Sequence, residues 1–234
     1  MAVIRSVLSS LGYILYEGVL NGNDFGALEN RRRMVVIAIT KGLDIEFDFT
    51  KLQPVREKEA KISDVLEDIS PTSELWKPFD YLAKKAARDK ADGKNFARQL
   101  LTGSESYCGT IGKGYSKCRS TEPFILHPTN PDLSRLLTPL EHARVKGAPV
   151  EAIHGLSNAT ANEVLGQSVI YPKFESINMY LGALLCSLMG TSAQVYMHQE
   201  IVIPKSERLK LVILDLSETN KELPVNEGVQ AKLF

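Results

Sequence analysis

Residues 29–40 read ENRRRMVVIAIT, three arginines running straight into an apolar, β-branched stretch. A guanidinium keeps its charge and seldom enters a core unpaired, so Arg31, Arg32 and Arg33 must meet solvent, an acid or an anion. Two residues apart on extended chain, Arg31 and Arg33 share one face, and Arg32 points away. Fixed cations on one face can steady negative charge that develops in a reaction. Clustered charges are also commonly just solvated, and these residues alone leave both readings open. A second cluster is GTIGKGYSKCRS (residues 109–120), where Lys113, Lys117 and Arg119 stand among glycines with Tyr115 and Thr110. Such a backbone packs little and can present cations and an aromatic ring to phosphates and bases, or be a mobile polar loop. A third is GQSV (residues 166–169), which suits a tight turn beside a ligand or between helices. Lys84 to Arg98 reads best as a solvated helix face.

Cys108, Cys118 and Cys186 are scattered with no CxxC pair, which argues against disulfides or zinc and suits a reducing cytosol. None of them follows a proline. His127, His142, His154 and His198 lack metal-ligand spacing.

The elements that must position these groups follow from periodicity and caps. Residues 2–11 have helical spacing, closed by Gly12. Tyr13–Leu20 and Met34–Thr40 read as strands, the second apolar enough to imply burial on both faces. NGNDFG (residues 21–26) is a loop, Asp44–Phe49 a short edge strand, and Ser63–Ile69 a helix capped by Ser63. Thr138, Pro139 and Glu141 compose a capping box with proline at the first helical position, and Gly147 closes that helix. Asn158–Leu165 is another helix. Pro172 opens the last, which Gly190 can end and which is apolar around most of its circumference, hence buried on several sides. Lys210–Leu216 reads as a strand.

The chain of 234 residues has 44% hydrophobic and 24% charged residues, enough for a real core, and its 28 Lys+Arg balance 28 Asp+Glu. Net charge therefore indicates no anionic partner; only local clusters can. No signal peptide or membrane-length apolar run is legible, so a soluble cytoplasmic protein is expected.

Three stretches in order, VLNGNDFGALENRRRMVVIA, LLTPLEHARVKGAP and LGQSVIYPKF, resemble the C-terminal half of the DNA cytosine-5 methyltransferases, over residues 1 to about 190. The resemblance implies an α/β fold: a partial Rossmann-like methyltransferase sheet with an inserted, smaller target-recognition domain. It places residues 1–60 in the catalytic domain, 61–136 in target recognition and 137–190 in the linking and closing helices, with 191–234 an extension of unknown role. It implies a cytosine flipped out of duplex DNA, because a stacked base cannot be reached, and methyl transfer from S-adenosylmethionine. Arg31 and Arg33 match the family's R-x-R pair, one beside the flipped base and the other supporting the site. Glu29 replaces the usual glutamine and could weaken contact with an anion or pair with an arginine. Gln167, Ser168 and Val169 would border S-adenosylmethionine, Gln167 standing for the commoner asparagine. Thr110, Lys113, Tyr115, Lys117 and Arg119 would contact DNA, while Glu141 and Arg144 hold the domains together.

The family's F-x-G-x-G loop, Pro-Cys nucleophile and Glu-Asn-Val segment do not occur in this sequence, which begins just after the place of the last. The expectation is a polypeptide inactive alone that completes an enzyme with an N-terminal half, as a split subunit or a fragment. A complementary chain, or self-association, would cover its apolar surface. The alternative is an inactive DNA-binding or regulatory module. A bacterial or phage-like restriction-modification setting fits either.

Overall fold

A computed structural model describes residues 1–94 and 98–189. Helix α1 (Ala2–Ser10) leads into strand β1 (Tyr13–Asn21), which pairs antiparallel with β2 (Arg32–Thr40) along its whole length, Leu20 opposite Arg33. Between the strands, NGNDFG folds into a 3-10 turn over Gly22–Phe25 that Asn21 caps and Gly26 ends at φ +99°. Strands β3 (Lys77–Pro78), β4 (Gln99–Leu101), β5 (Pro123–Leu126) and β6 (Leu133–Arg135) form a second, mixed sheet in the order β3-β6-β5-β4, with β4 and β5 parallel. Helix α2 (Asp80–Ala91) crosses from β3 toward β4, and α3 (Pro139–Lys146), α4 (Asn158–Gln167) and α5 (Tyr171–Leu188) close the chain.

Two cores result. One gathers Phe25, Val35, Ile39, Phe47 and Leu52 beneath Ile177 of α5. The other joins Leu28, Ile62, Ile111, Tyr115, Ile125, Leu137 and Val145. Each fully buried large aliphatic side chain contributes about 1.5–3 kcal/mol. Arg56 links the two helical ends, donating to the Gly147 carbonyl at 3.1 Å and pairing with Glu175 on α5.

The capping box forms as expected: Thr138 and Glu141 bond reciprocally, and Gly147 closes α3 at φ +64°. Four expectations require correction. Strand β2 is not buried on both faces; Val35 and Ile39 point inward, whereas Met34 is 50% exposed, because residues 45–52 and α5 cover only one side among the described residues. For the same reason α5 buries Ile177 but leaves Met179, Leu185 and Leu188 exposed. Residues 44–49 form no ladder; Ile45 and Phe47 alternate inward, and Tyr16 holds the segment through the Ile45 carbonyl at 3.1 Å. Helix 63–69 is absent: only a 3-10 turn over Ile62–Asp64 forms, with Lys61 at its cap. The Glu67 N–H, which a helix would give to the Ser63 carbonyl, donates to the Glu141 carboxylate at 2.8 Å, and the N–H groups of Ile62 and Ser63 bond to the carbonyls of Glu105 and Gly103 at 2.9 and 2.8 Å. Gly190, Lys210–Leu216 and the whole 191–234 extension lie outside the described residues. No described helix is long and apolar enough to cross a membrane.

Candidate functional site

The chain just before β2 runs between two other segments. Leu28 N–H donates to the Val145 carbonyl at 2.8 Å, and Asn30 N–H to the Cys108 carbonyl at 2.8 Å. This ribbon carries Glu29 into the interior, where it is 0% exposed. One carboxylate oxygen accepts from Ile111 N–H at 2.9 Å, and the other lies 2.6 Å from the Lys146 ammonium. Arg31 stands 3.7 Å from the first oxygen. A buried carboxylate is tolerable because its cations and a backbone donor replace the lost water. Glu29 is thus an ion-pair partner of Arg31 and Lys146.

Arg31 does more than balance charge. Its Nη1 donates to the Gly166 carbonyl at 3.1 Å and reaches the Ile111 carbonyl at 3.5 Å. It therefore ties the start of β2 to the glycine-rich loop and to the end of α4. Gly166 must be glycine: a Cβ there would lie 2.4 Å from the Gly112 carbonyl group and 2.5 Å from Lys113 N. Arg33 differs from its neighbour two residues back. It is exposed, and among the described residues its side chain donates one hydrogen bond, to the Arg32 carbonyl at 2.7 Å. Arg32 is exposed as well. One arginine is built into the frame, and the other presents its guanidinium outward.

Lys173 on α5 adds a cation that sequence reasoning missed. It is 2% exposed, with its ammonium over the Phe174 ring at 5.4 Å. Burial lowers its pKa first, and the fields of Arg31 and Arg33 lower it further. Lys146 is also depressed, burial outweighing Glu29. Positive charge thus exceeds negative around Glu29, a field suited to an electron-rich centre. A lysine beside Pro172 at the head of an apolar helix was the available signal; nothing local marked the Glu29–Lys146 pair.

The GQSV turn lies beside this frame. Ser168 caps α4 by donating its hydroxyl to the Leu165 carbonyl at 2.7 Å. Gln167 is exposed, its amide 3.3 Å from Glu163, and Val169 is 53% exposed. An exposed amide beside an exposed apolar side chain fits one edge of a pocket for a nucleoside-like group such as S-adenosylmethionine. The Ser168 hydroxyl fits less well, being committed to its own backbone.

The glycine-rich loop divides. Thr110, Lys113, Lys117 and Arg119 are exposed; the Thr110 hydroxyl donates to the Asn30 carbonyl at 3.2 Å, and the Arg119 guanidinium lies over Gly114. Tyr115 must be withdrawn from the DNA-contacting set. It is 0% exposed, its hydroxyl donating to the Pro123 carbonyl at 2.7 Å and accepting from Leu137 N–H at 2.9 Å. A ring so enclosed cannot stack on a base.

The remaining candidates are framework. Glu141 is buried, takes a bidentate ion pair from Arg135 at 2.6 and 2.8 Å, and accepts from Glu67 N–H at 2.8 Å. Arg144 donates to the Val65 carbonyl at 3.3 Å. His142 bonds Asn162 at 2.9 Å, and burial drives its pKa down to about 3. Burial raises the Cys108 thiol, with Glu29 adding to the effect, and burial raises Cys118 too; neither is an activated nucleophile. Among the described residues no three His, Cys, Asp or Glu side chains gather as a metal site.

Residues 1–182 match the family model described as C-5 cytosine-specific DNA methylase. The chain is 31% identical over 194 residues to Type II methyltransferase M.NlaX of Neisseria lactamica, covering 80% of this chain and 58% of that protein. It is 27% identical over 180 residues to M1.ScrFI of Lactococcus lactis subsp. cremoris, covering 74% and 44%. The chain thus spans about half the length of the curated relatives it matches. Among solved structures, the S. pombe Dnmt2 methyltransferase aligns with a TM-score of 0.61 at 20% identity, over 80% of this chain and 61% of that one. The Entamoeba histolytica methyltransferase EhMeth aligns with a TM-score of 0.56 at 20% identity, over 80% and 58%. At that identity the likeness concerns the fold, and the α/β class expected from the sequence is the class these methyltransferases share.

Proposed function

Because the chain belongs to the C-5 cytosine-specific DNA methylase family, we propose that it is the DNA-reading and site-completing portion of a DNA (cytosine-5-)-methyltransferase. The single observation that carries this is the division of labour between Arg31 and Arg33. Arg31 is fixed to Gly166 and Glu29, and Arg33, two residues on, is exposed, its guanidinium bonded only to the neighbouring Arg32 carbonyl among the described residues.

In the proposed reaction a thiolate adds to C6 of a cytosine flipped out of duplex DNA. The new C–S bond pushes an electron pair into the ring, and Arg33 hydrogen-bonds the oxygen on which that charge collects. Arg31 positions this stretch of chain and holds the α4 end beside it. S-adenosylmethionine, bordered by Gln167, Ser168 and Val169, would supply an electrophilic methyl group for C5 and leave as the neutral thioether, after which loss of the C5 proton to a base and expulsion of the thiolate from C6 restore the ring's double bond. Thr110, Lys113, Lys117 and Arg119 contact the DNA, within a recognition segment spanning residues 61–136. Residues 1–60 and 137–190 complete the catalytic domain.

The thiolate comes from outside these 234 residues, either in the same polypeptide or in a second chain. Cys108 is sealed in the core with its thiol raised, and none of the three cysteines follows proline. Alone the chain is therefore inactive. The exposed apolar side chains of α1 (Val3, Ile4, Val7) and of the open β1–β2 face (Val19, Met34) support a complementary partner, or self-association, covering that side. The relatives named above are bacterial Type II methyltransferases, which supports action in the cytoplasm beside a restriction enzyme.

The test combines the purified chain with a polypeptide bearing the family's Pro-Cys segment, labelled S-adenosylmethionine and duplex DNA. Label should enter DNA only in the mixture, and Arg33→Ala should slow that incorporation about 100-fold or more. Incorporation by the chain alone, or an unchanged rate for Arg33→Ala, refutes the assignment. Duplex binding with no methylation from any such mixture favours the inactive DNA-binding module instead.

A further inference from the structure

We propose that the outward face of α2, fastened beside the loop at residues 117–120, is a further track for the phosphates of duplex DNA that extends the contacts of Lys117 and Arg119. This rests on the reading of the chain as a DNA-recognition portion. The charge distribution is the first observation. Residues 77–120 hold ten Lys and Arg against four Asp and Glu, in a chain whose charges otherwise cancel. The sequence alone leaves α2 as an ordinary solvated helix. The structure shows something more organised.

Leu82 and Asp89 turn inward, and Tyr81, Lys84, Lys85 and Arg88 stand exposed. Two bonds fasten that face to the neighbouring loop. The Tyr81 hydroxyl donates to the Cys118 carbonyl at 3.3 Å, and the Lys85 ammonium donates to the Ser120 hydroxyl at 2.8 Å. Exposed Lys117 and Arg119 are thereby brought alongside α2.

The pattern on the helix is the second observation. Lys84 and Arg88 are four residues apart, where like charges repel across one helical turn. A solvated helix relieves such repulsion with an acid at that spacing. Here Asp80 and Asp92 stand at that spacing from Lys84 and Arg88 but pair with neither: Asp92 engages Lys94 at 3.0 Å, Asp89 is inside, 3.6 Å from Lys94, and among the described residues no ion pair engages Lys84, Arg88, Lys117 or Arg119. Two helical cations that repel each other and are engaged in no ion pair among the described residues fit a polyanion whose phosphates supply the partners. Contact of this kind carries no base information and sets register and affinity.

The experiment uses the full chain, fluorescence anisotropy on a short labelled duplex, and a series of salt concentrations. Lys84→Ala with Arg88→Ala should lower the slope of log K against log salt by about 1.8, the release of two phosphates' counterions. The loss should be equal on duplexes of different sequence. Lys41→Ala, a lysine outside the patch, should leave the slope unchanged. Both target residues are exposed, and Lys84→Gln with Arg88→Gln serves if the alanine pair fails to melt cooperatively. If wild type binds DNA and the double variants keep its slope, α2 is a solvated helix and the inference fails while the proposed function stands. A loss confined to one sequence would also overturn it, since that is base reading, as would tighter binding of duplex RNA than of duplex DNA. If the wild-type chain binds no duplex at any salt, the proposed function falls and takes the inference with it.

Discussion

The Arg31 guanidinium donates to the Gly166 carbonyl at 3.1 Å, across 135 residues of sequence. That contact binds the first residue of the R-x-R pair to the glycine of the GQSV turn, so the two motifs are parts of one structure. Arg31→Ala would strip that donor from Gly166, remove the contact to the Ile111 carbonyl and reduce the charge around Glu29. The expected cost is about 2 kcal/mol of folding stability, read from the urea midpoint of the chain. Arg31→Lys should recover only part of it, because a lysine keeps the charge near Glu29 but its shorter side chain does not place a donor where Nη1 meets both carbonyls. A loss below about 0.5 kcal/mol for the alanine variant would mean that the contact bears no weight.

Glu29 and Lys146 form a pair with no exposed surface on either side chain, 2.6 Å apart. Breaking such a pair from one side leaves a buried charge, at a cost of about 3–5 kcal/mol. Glu29→Gln should approach that figure, although the amide can still accept from Ile111 N–H. Adding Lys146→Met removes the stranded ammonium and should return most of the stability. If the two substitutions simply add in a double-mutant cycle, the carboxylate and the ammonium are not coupled.

Local chemistry made part of this molecule legible in advance. The Thr138–Glu141 box and Gly147 mark α3 because a cap is written within one turn of chain. Strand β2 was legible as a strand, but periodicity cannot say whether a second layer covers Met34, and among the described residues none does. Residues 63–69 looked helical, but the Glu67 N–H goes to the Glu141 carboxylate, 74 positions on, in place of the Ser63 carbonyl. The site split along the same line. The arginines announced themselves by charge and spacing, whereas Glu29–Lys146 and buried Lys173 depend on distant segments converging. Tyr115 misled because an aromatic among glycines and lysines suggests a stacking platform; its partners, Pro123 and Leu137, lie 8 and 22 positions further on.

The burial of Tyr115 gives a prediction that separates folding from DNA contact. Tyr115→Phe keeps the ring but leaves the Pro123 carbonyl and the Leu137 N–H unpaired inside the core. The chain should lose about 1–3 kcal/mol of stability. Its affinity for duplex DNA, measured where it is still fully folded, should not change. A weaker complex with undiminished stability would restore Tyr115 to the DNA surface.

His142 makes stability depend on pH, and the sign follows from its burial. Its pKa falls from 6.5 to about 3, chiefly because burial disfavours the charged ring, with the Asn162 hydrogen bond opposing that shift and the nearby Lys146 and Arg31 adding to it. Between those values the unfolded chain binds a proton that the folded chain refuses, so the folded state loses ground as the medium is acidified. Above about pH 6.5 the full contribution is present. It declines as pH falls toward 3, by at most about 4–5 kcal/mol at 1.36 kcal/mol per unit. Carboxylates titrate in the same range, so the informative quantity is the difference between wild type and His142→Gln, whose amide can still donate to Asn162. In denaturant melts at successive pH values, wild type should lose stability faster than the variant as pH falls below 6.5. A difference that stays constant from pH 7 to pH 4 would show that the imidazole takes up its proton in the folded chain as readily as in the unfolded one.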